Sequence, residues 1–432
     1  MTTGADPLIQ EFVAGRYIDR TTGRHIPCSI QKVVTVESTA GLEAELLAGL
    51  NLGERLGIVA DENTWEVLGK RIQAAVPNAE AILLEHPKAD EKNAAILKEK
   101  SRHVDGLVAV GSGTINDLCK YVTFADGRGC AVFGTAPSMN GYVTSTASIT
   151  RDGYKLSLKS HAPRGVFYDL SVQAAAPVRM IRAGFGDAVC RSSAQVDWLL
   201  SHRLLGTTYE QGPFDIQAPY EPILLERAGG LVTGDLVAMR ALTDMLTLGG
   251  FGVLFTHTSH SGSMAEHSIS HYIDMFANPH PRTLHGEQVG VATLTATRMQ
   301  ARILAMETLP PLQVRQIDDE HIRELHGASG EEMVKVAHAK ALDADQTRVM
   351  NERLAAEWPA LRTELLGIMI PLDKLLMAYV ESGTPTTAAG LGIDSCFYRQ
   401  AVLNARDVRD RWSILDLAGD LGLLEELAQN EG

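Results

Sequence analysis

The sequence predicts two domains, a parallel α/β domain over residues 1–173 and an all-helical domain over residues 174–432. In the first part, short apolar runs alternate with stretches of helical spacing, a pattern typical of buried parallel strands joined by helices. In the second part, long stretches rich in Ala, Leu, Glu, Arg and Met replace the β-branched runs. A chain of 432 residues with 45% hydrophobic residues is long enough to form two domains.

Four apolar runs are the predicted strands of the first domain. They are "RLGIVAD" (55–61), "GLVAVGSG" (106–113), "CAVFGTAPS" (130–138) and "GVFYDL" (165–170). Between the first two runs, "ENTWEVLGKRIQAAV" has the spacing of a helix. After "SVQAAA" (171–176), Pro177 is a residue type that opens helices, and "GDLVAMRALTDMLTLGG", "GVATLTATRMQARILAM" and "NERLAAEWPALRTELL" are predicted helices.

Composition restricts the partners and the compartment. The net charge of −14 argues against nucleic acid or an anionic membrane as the main partner, although it allows a local basic pocket for a phosphorylated substrate. The five cysteines are scattered and form no CxxC pair, which favours reduced thiols in a cytoplasmic protein. The first residues have no pattern of a signal peptide, and no apolar run predicts a membrane span.

Two features of the first domain indicate a nucleotide site. "GSGTIND" (111–117) follows a strand and opens a helix, where backbone N–H groups can bind a pyrophosphate. Glycine-rich turns are also common without a ligand. Asp61 ends an earlier strand, where a carboxylate can accept hydrogen bonds from a ribose and would favour NAD over NADP. The alternative for Asp61 is an ordinary helix N-cap.

The stretch "GTAPSMNGYVTSTASI" (134–149) is rich in Ser and Thr around one Pro and two Gly residues. Its hydroxyl and backbone N–H groups suit a loop that lines a ligand cleft. An ordinary polar loop is the alternative.

Three histidines lie close together in the second domain. His267 and His271 are four residues apart and share a helix face, which permits chelation of one metal, and His285 follows in "LHGEQ". Asp187 is a candidate oxygen ligand. No HExxH motif is present, so a solvated or hydrogen-bonded helix face is the other interpretation.

Six segments, in this order, resemble the superfamily of dehydroquinate synthase, glycerol dehydrogenase and iron-containing alcohol dehydrogenases. They are "GSGTIND", "GTAPSMNGYVTSTASI", "GFGDAVCRSSAQVDWLLSH", "GSMAEHSISHYID", "LHGEQVGVATL" and "ARDVRDRWSILDLAGDLGLL". Within that superfamily the chain is most similar to the sn-glycerol-1-phosphate dehydrogenases of the bacterial AraM-like branch. The resemblance covers roughly residues 55–427 and implies a Rossmann-like nucleotide domain followed by a helical metal-binding domain.

The resemblance also implies the site residues. Asp187, His267 and His285 would bind one divalent metal (zinc, nickel or iron), and His271, Asp187 and Asn140 would contact substrate. Asn140 stands where the family usually has Asp, and Thr144 replaces a more usual Ser. The implied NAD or NADP site comprises Asp61, Gly113, Thr114, Ile115, Asn116, Asp117, Thr135, Ala136, Pro137, Ser138 and Thr144. Lys155 and Lys159 are further candidates for contact with a phosphate.

The implied activity is metal-dependent reduction of dihydroxyacetone phosphate to sn-glycerol 1-phosphate by a cytoplasmic homodimer or larger homo-oligomer. Because Asn140 alters the hydrogen-bond pattern of the substrate site, a dehydrogenase acting on another polyol, polyol phosphate or small ketone is the main alternative. Cyclases related to dehydroquinate synthase usually have Glu where this chain has Asp187, and they carry a "GGKTG" loop that is missing here. A non-catalytic binding protein is the remaining alternative.

Overall fold

The computed structural model describes residues 6–151 and 154–431, except for the side chains of residues 154 and 155. The chain divides into two compact units. The sheet unit comprises Met1–Ala188 and Gln211–Thr258, and the helical unit comprises Val189–Glu210 and Ser259–Gly432. The division of the domains at residue 173 stays a prediction, although the last strand ends close to it, at Asp169.

A six-stranded parallel sheet is the centre of the sheet unit. Its strand order is β1-β8-β5-β4-β2-β3, and every pairing is parallel. The strands are β1 Lys32–Val36, β2 Leu56–Ala60, β3 Glu80–Leu83, β4 Gly106–Gly111, β5 Gly129–Gly134 and β8 Gly165–Asp169. The predicted α/β class is therefore confirmed, with β1 and β3 added to the four predicted strands.

Both faces of the sheet are covered. Leu107 and Ala109 of β4 lie in one apolar cluster, whereas Val108 and Val110 of the same strand lie in a second cluster. Because successive side chains of a strand point to opposite faces, a strand buried on both sides has no polar position. This explains why the central strands appear in the sequence as unbroken apolar runs.

Helices and one hairpin complete the sheet unit. The helices are α1 Pro7–Val13, α2 Glu43–Leu47, α3 Glu62–Thr64, α4 Lys70–Ala75, α5 Glu91–Lys100, α6 Gly113–Asp126, α7 Leu170–Ala174, α8 Val178–Val189, α10 Gly212–Asp215, α11 Glu221–Glu226, α12 Leu236–Phe251 and α13 Val253–Thr256. A π-helical segment, Trp65–Gly69, joins α3 to α4 within the predicted helix 62–76. The antiparallel hairpin consists of β6 Thr146–Arg151 and β7 Tyr154–Lys159. The Ser/Thr-rich stretch therefore ends in a strand and is not a loop throughout.

The helical unit has no strand among its described residues. Its helices are α9 Arg191–Leu205, α14 Ala265–Phe276, α15 His285–Leu304, α16 Asp319–His326, α17 Gly330–Lys340, α18 Ala344–Ile368, α19 Leu372–Ser382, α20 Ser395–Asn404, α21 Ile414–Asp420 and α22 Leu424–Gln429. One apolar cluster forms its core, which includes Ile269 and Ile273 of α14 and Ala292 and Ala296 of α15. The packing of α14 against α15 brings the start of α15 beside the histidines of α14.

One stretch has the length and hydropathy of a membrane span. Leu236–Thr256 covers α12 and α13, and 72% of its most apolar 18-residue window is buried inside the protein. Burial of this extent is typical of a core helix.

Candidate functional site

Within the sheet unit, the predicted cofactor residues follow three adjacent strands. Asp61 follows β2, Ser112 follows β4 and Thr135 follows β5, and these strands are neighbours in the sheet. Since parallel strands end at the same edge, these residues lie at the carboxyl edge of the sheet, where open α/β folds bind ligands. Asp61 is also the N-cap of α3, because its carboxylate accepts a hydrogen bond from the Thr64 N–H at 2.8 Å.

The turn after β4 leads directly into α6. Ser112 is the N-cap without a side-chain hydrogen bond, and the N–H groups of Gly113, Thr114 and Ile115 have no acceptor among the described residues. A Cβ atom at Gly111 would lie 2.7 Å from the Cβ of Ile115, so the turn requires glycine there. A helix start of this kind attracts anions through its N–H groups and its dipole.

The loop after β5 is fixed by close contacts within the same unit. The Tyr142 hydroxyl donates to the Ala136 carbonyl oxygen at 2.8 Å. A Cβ atom at Gly184 of α8 would lie 1.5 Å from the Pro137 carbonyl oxygen, so helix and loop touch backbone to backbone. The Asn140 N–H donates to the carboxylate of Asp187 at 2.9 Å. Two of the predicted substrate residues therefore lie side by side.

A fully buried lysine also holds this loop, and sequence reasoning missed it. Lys120 of α6 donates to the carbonyl oxygens of Gly141 at 2.8 Å and Thr146 at 2.5 Å, and its ammonium lies 3.2 Å from the Asp117 carboxylate. The other oxygen of Asp117 accepts from the Ser148 N–H at 2.9 Å. Asp117 therefore joins α6 to the hairpin. The available signal was the spacing of Asp117 and Lys120, three residues apart on one helix face.

Two other predicted cofactor residues belong to this network. The Asn116 amide donates to Asp117 at 3.0 Å, and the Thr144 hydroxyl donates to the Gly141 carbonyl oxygen at 3.1 Å. Their described contacts are thus structural, and contact with a cofactor stays a prediction for both.

In the helical unit, His267 and His285 form a pair whose ring centroids are 5.1 Å apart. His267 Nδ1 donates to the buried carboxylate of Glu266 at 3.0 Å. His285 Nδ1 lies 3.4 Å from the Ser270 hydroxyl, which itself donates to Gln288 at 2.8 Å and must accept from the ring. In both rings Nδ1 carries the proton, so Nε2 is the atom with a lone pair for a metal.

The ring spacing fits a shared ion. A metal–nitrogen bond of about 2.0–2.1 Å puts a ring centre ~3.2 Å from the ion, so two rings at a tetrahedral angle have centres about 5.2 Å apart. The His267–His285 pair matches this value. His271 lies 6.5 Å from both other rings, which is about the limit for two rings on opposite sides of one ion. His267 and His271, which are four residues apart, are therefore less suited than His267 and His285 to bind one ion.

Glu266 is charged in this surrounding. Burial by itself raises the pKa of Glu266, but the hydrogen bond and charge of His267 and the backbone N–H groups outweigh burial and lower the pKa below its usual range. A carboxylate behind a metal-binding imidazole fixes the ring and makes it a stronger ligand. The sequence alone had suggested no role for Glu266.

Cys190 lies beside this group. Its thiol, the Glu266 carboxylate and a ring nitrogen of His267 offer donor atoms within 4.8 Å of one another. The sequence analysis treated Cys190 only as one of five reduced thiols, and all five are free in the structure. Since His267 Nδ1 donates to Glu266, that nitrogen has no lone pair to offer an ion together with the thiol.

Comparisons with known proteins agree with this architecture. The family model for iron-containing alcohol dehydrogenases matches residues 34–177. The glycerol-1-phosphate dehydrogenase of Halalkalibacterium halodurans is 32% identical over 55% of this chain and 62% of its own length. The enzyme of the same name from Bacillus licheniformis is 24% identical over 95% of this chain and 96% of its own.

Solved structures show the same fold over nearly the whole chain. The sulfoacetaldehyde reductase of Bifidobacterium kashiwanohense, solved in complex with NAD+, has a TM-score of 0.58 and 13% identity over 93% of this chain and 96% of its own. Fold, ordered motifs and relatives therefore agree. The chain is similar to iron-containing alcohol dehydrogenases over residues 34–177 and to curated glycerol-1-phosphate dehydrogenases of bacteria over the lengths given above.

Proposed function

We propose that this chain is a metal-dependent NAD(P)H oxidoreductase that reduces dihydroxyacetone phosphate to sn-glycerol 1-phosphate. The observation that carries the proposal is the His267–His285 pair, with both Nδ1 atoms held and a spacing suited to one ion. Relatives named glycerol-1-phosphate dehydrogenase [NAD(P)+] support the substrate and the cofactor. The first of them matches over 62% of its own length, so its activity is transferred here as a proposal.

We assign Asp187, His267 and His285 as the ligands of one divalent ion. One carboxylate and two imidazoles suit zinc, nickel and iron. When bound, the ion supplies Lewis-acid chemistry at the substrate oxygen. Glu266 and Ser270 act through the ligands, because each fixes the orientation of one imidazole.

We assign the cofactor to the carboxyl edge of the sheet. The N–H groups at the start of α6, over residues 113–115, would bind the pyrophosphate of NAD or NADP. Asp61 would accept from the ribose through the oxygen that its helix cap does not use. Thr135–Ser138, Asn116, Asp117 and Thr144 complete the assigned set, and the reduced nicotinamide supplies the hydride.

Two further side chains would deliver a proton to the substrate and hold the substrate in position. Reduction of a ketone adds one hydride to the carbonyl carbon and one proton to its oxygen. His271, half-buried on α14, would deliver that proton directly or through a substrate hydroxyl. The Asn140 amide would donate to a substrate hydroxyl while its backbone N–H holds Asp187.

We further propose a cytoplasmic homodimer or larger homo-oligomer. The five free cysteines support a reducing compartment. Nucleic acid and membranes are not proposed as partners, given the net charge of −14.

A substrate screen tests the activity. Protein freed of metal by a chelator and reloaded with zinc, nickel or iron is assayed with NADH and NADPH against dihydroxyacetone phosphate, dihydroxyacetone and glyceraldehyde. We expect the highest kcat/KM for dihydroxyacetone phosphate, and a product that an enzyme specific for sn-glycerol 3-phosphate does not oxidise. Equal kcat/KM for dihydroxyacetone would overturn the substrate, and phosphate release without net NADH oxidation would indicate a cyclase.

Metal content tests the roles of the histidines. We expect Asp187→Ala, His267→Ala and His285→Ala to lose bound zinc, whereas His271→Ala retains zinc and loses turnover. Equal metal loss in His271→Ala would indicate instead that His267 and His271 chelate the ion. Unchanged metal content in all four variants would reject the metal site.

A further inference from the structure

Two arginines of the C-terminal "ARDVRDRW" segment have no part in the chemistry described so far. Arg409 and Arg411 both reach the segment Ser259–Ser263 that precedes α14. Arg409 donates to the Ser263 hydroxyl at 2.6 Å, and Arg411 donates to the Ser259 hydroxyl at 2.9 Å and to the Ser263 carbonyl oxygen. Two guanidinium groups therefore converge on five residues.

Arg409 and Arg411 differ from two other partly buried arginines of the helical unit. Arg298 and Arg315 each meet a carboxylate, Glu431 and Asp407 respectively. In the described chain, no carboxylate oxygen lies within 4.0 Å of either Arg409 or Arg411. Two cations held together without a direct counter-ion are a costly arrangement unless an anion binds there.

The excess of positive charge contributes to lowered pKa values in this cluster. Burial and then the charges of Arg411 and Arg409 lower the pKa of His260 to about 4. Burial and the neighbouring Arg409 lower the pKa of Arg411 to about 9. Asp410 and Glu266 offset the field in part, and neither is bonded to a guanidinium group.

The cluster lies one helical turn from the metal-binding histidine pair. Ser263 lies two residues before α14, whose first turn carries Glu266 and His267. A turn of helix rises about 5.4 Å, which is close to the reach of a three-carbon phosphate ester. Glu266, the partner of His267, is near enough to act on the pKa of Arg409.

We propose that Arg409 binds the phosphate group of the substrate, while Arg411 holds the Ser259–Ser263 segment and adds a second positive charge. The inference rests on the proposed function, because it assigns the phosphate of the proposed substrate to this cluster. Arg409 makes one hydrogen bond of the five that a guanidinium can donate, so its planar fork retains donors for a phosphate. The lysines suggested by sequence are weaker candidates, since Lys159 is exposed on β7 and the Lys155 side chain is outside the described residues.

The kinetic test compares two ketones in the metal-loaded enzyme. The measured quantity is the ratio of kcat/KM for dihydroxyacetone phosphate to kcat/KM for dihydroxyacetone. We expect Arg409→Gln to lower this ratio about 10- to 100-fold, and Arg409→Lys to lower it less because the charge remains. Arg348→Gln, which removes an exposed arginine paired with Glu352, is the matched control and keeps the ratio. Equal losses for both ketones in Arg409→Gln would show a purely structural role and overturn the proposal.

A binding test does not depend on turnover. With NAD+ present to fill the cofactor site, inorganic phosphate should raise the Tm of the wild-type protein and of Arg348→Gln, and should raise it much less in Arg409→Gln. An equal Tm shift in Arg409→Gln, or no shift in the wild type, would reject the phosphate site. If the wild type does not prefer the phosphorylated ketone, the proposed function fails, and the phosphate shift still decides the role of Arg409.

Discussion

The sheet unit and the helical unit present ligand groups in different ways. In the sheet unit the candidate groups are mainly backbone N–H groups at strand ends and at the start of α6, held by glycines in close contact. In the helical unit they are side chains on α14 and α15, each held by another side chain. A site built from backbone N–H groups depends on the path of the main chain. A site built from side chains depends on the neighbouring side chains that orient them. We therefore expect different kinds of substitution to disrupt the candidate sites of the two units.

The largest expected effect is at Gly184, where the backbone path has no room to adjust. In Gly184→Ala the new methyl group would start 1.5 Å from the Pro137 carbonyl oxygen, so α8 or the loop must move. We expect a loss of about 3 kcal/mol or more in the free energy of unfolding, with weaker NADH binding, measured by urea denaturation and fluorescence titration.

Gly367→Ala is the matched control for Gly184. A Cβ atom at Gly367, near the end of α18, meets no heavy atom within 4 Å. Alanine should be neutral there or stabilise the helix by up to about 1 kcal/mol. A Gly184→Ala protein as stable as Gly367→Ala would show that the backbone contact is not needed.

An effect of comparable size is expected at Lys120, the exception within the sheet unit because a side chain holds the loop. Lys120→Met leaves the Asp117 carboxylate and the carbonyl oxygens of Gly141 and Thr146 without their buried cation. We expect a destabilisation of about 3–5 kcal/mol and weaker NADH binding.

The control for Lys120 is an exposed lysine of the same unit. Lys98→Met removes an exposed pair with Asp126 and should cost less than about 1 kcal/mol. Equal urea midpoints for Lys120→Met and Lys98→Met would show that the loop does not depend on its buried cation.

In the helical unit the partners of the histidines should decide metal affinity. Glu266→Gln removes the charge behind His267, and we expect zinc affinity to fall about 10- to 100-fold in competition with a chelator. Ser270→Ala should have a smaller effect, because its contact with His285 is longer, 3.4 Å against 3.0 Å. Glu332→Gln, on an exposed side chain, is the control. A larger effect in Ser270→Ala than in Glu266→Gln would reverse the assigned order.

The difference between the sheet unit and the helical unit also determined which features could be predicted from the sequence. The central strands β2, β4, β5 and β8 were predictable because burial on both faces produces apolar runs that end at glycine or acidic residues. β1 and β3 gave weaker signals. β1 alternates in burial, and β3 is a short edge strand with exposed ends.

The histidine site was less accessible to local reasoning. His267 and His285 meet only because α14 packs against α15, and a spacing of eighteen residues does not encode that contact, so the split of His271 from the pair came from the family resemblance. Glu266, Ser270 and Lys120 were missed because a polar residue beside a motif gives no sign of its partner until the fold is known.

The smallest expected effect is at Asp61, where the two interpretations of one carboxylate can be separated. Asp61→Ser keeps a hydroxyl that can accept from the Thr64 N–H and should change the free energy of unfolding by less than about 0.5 kcal/mol. It also removes the charge that opposes a 2′-phosphate, so the ratio of kcat/KM with NADPH to kcat/KM with NADH should rise about tenfold. Asp61→Ala should raise the ratio equally but lose about 1 kcal/mol of stability, because the cap is gone. An unchanged ratio in both variants would leave Asp61 as a helix cap alone, and cofactor choice would then belong to other residues at the carboxyl edge of the sheet.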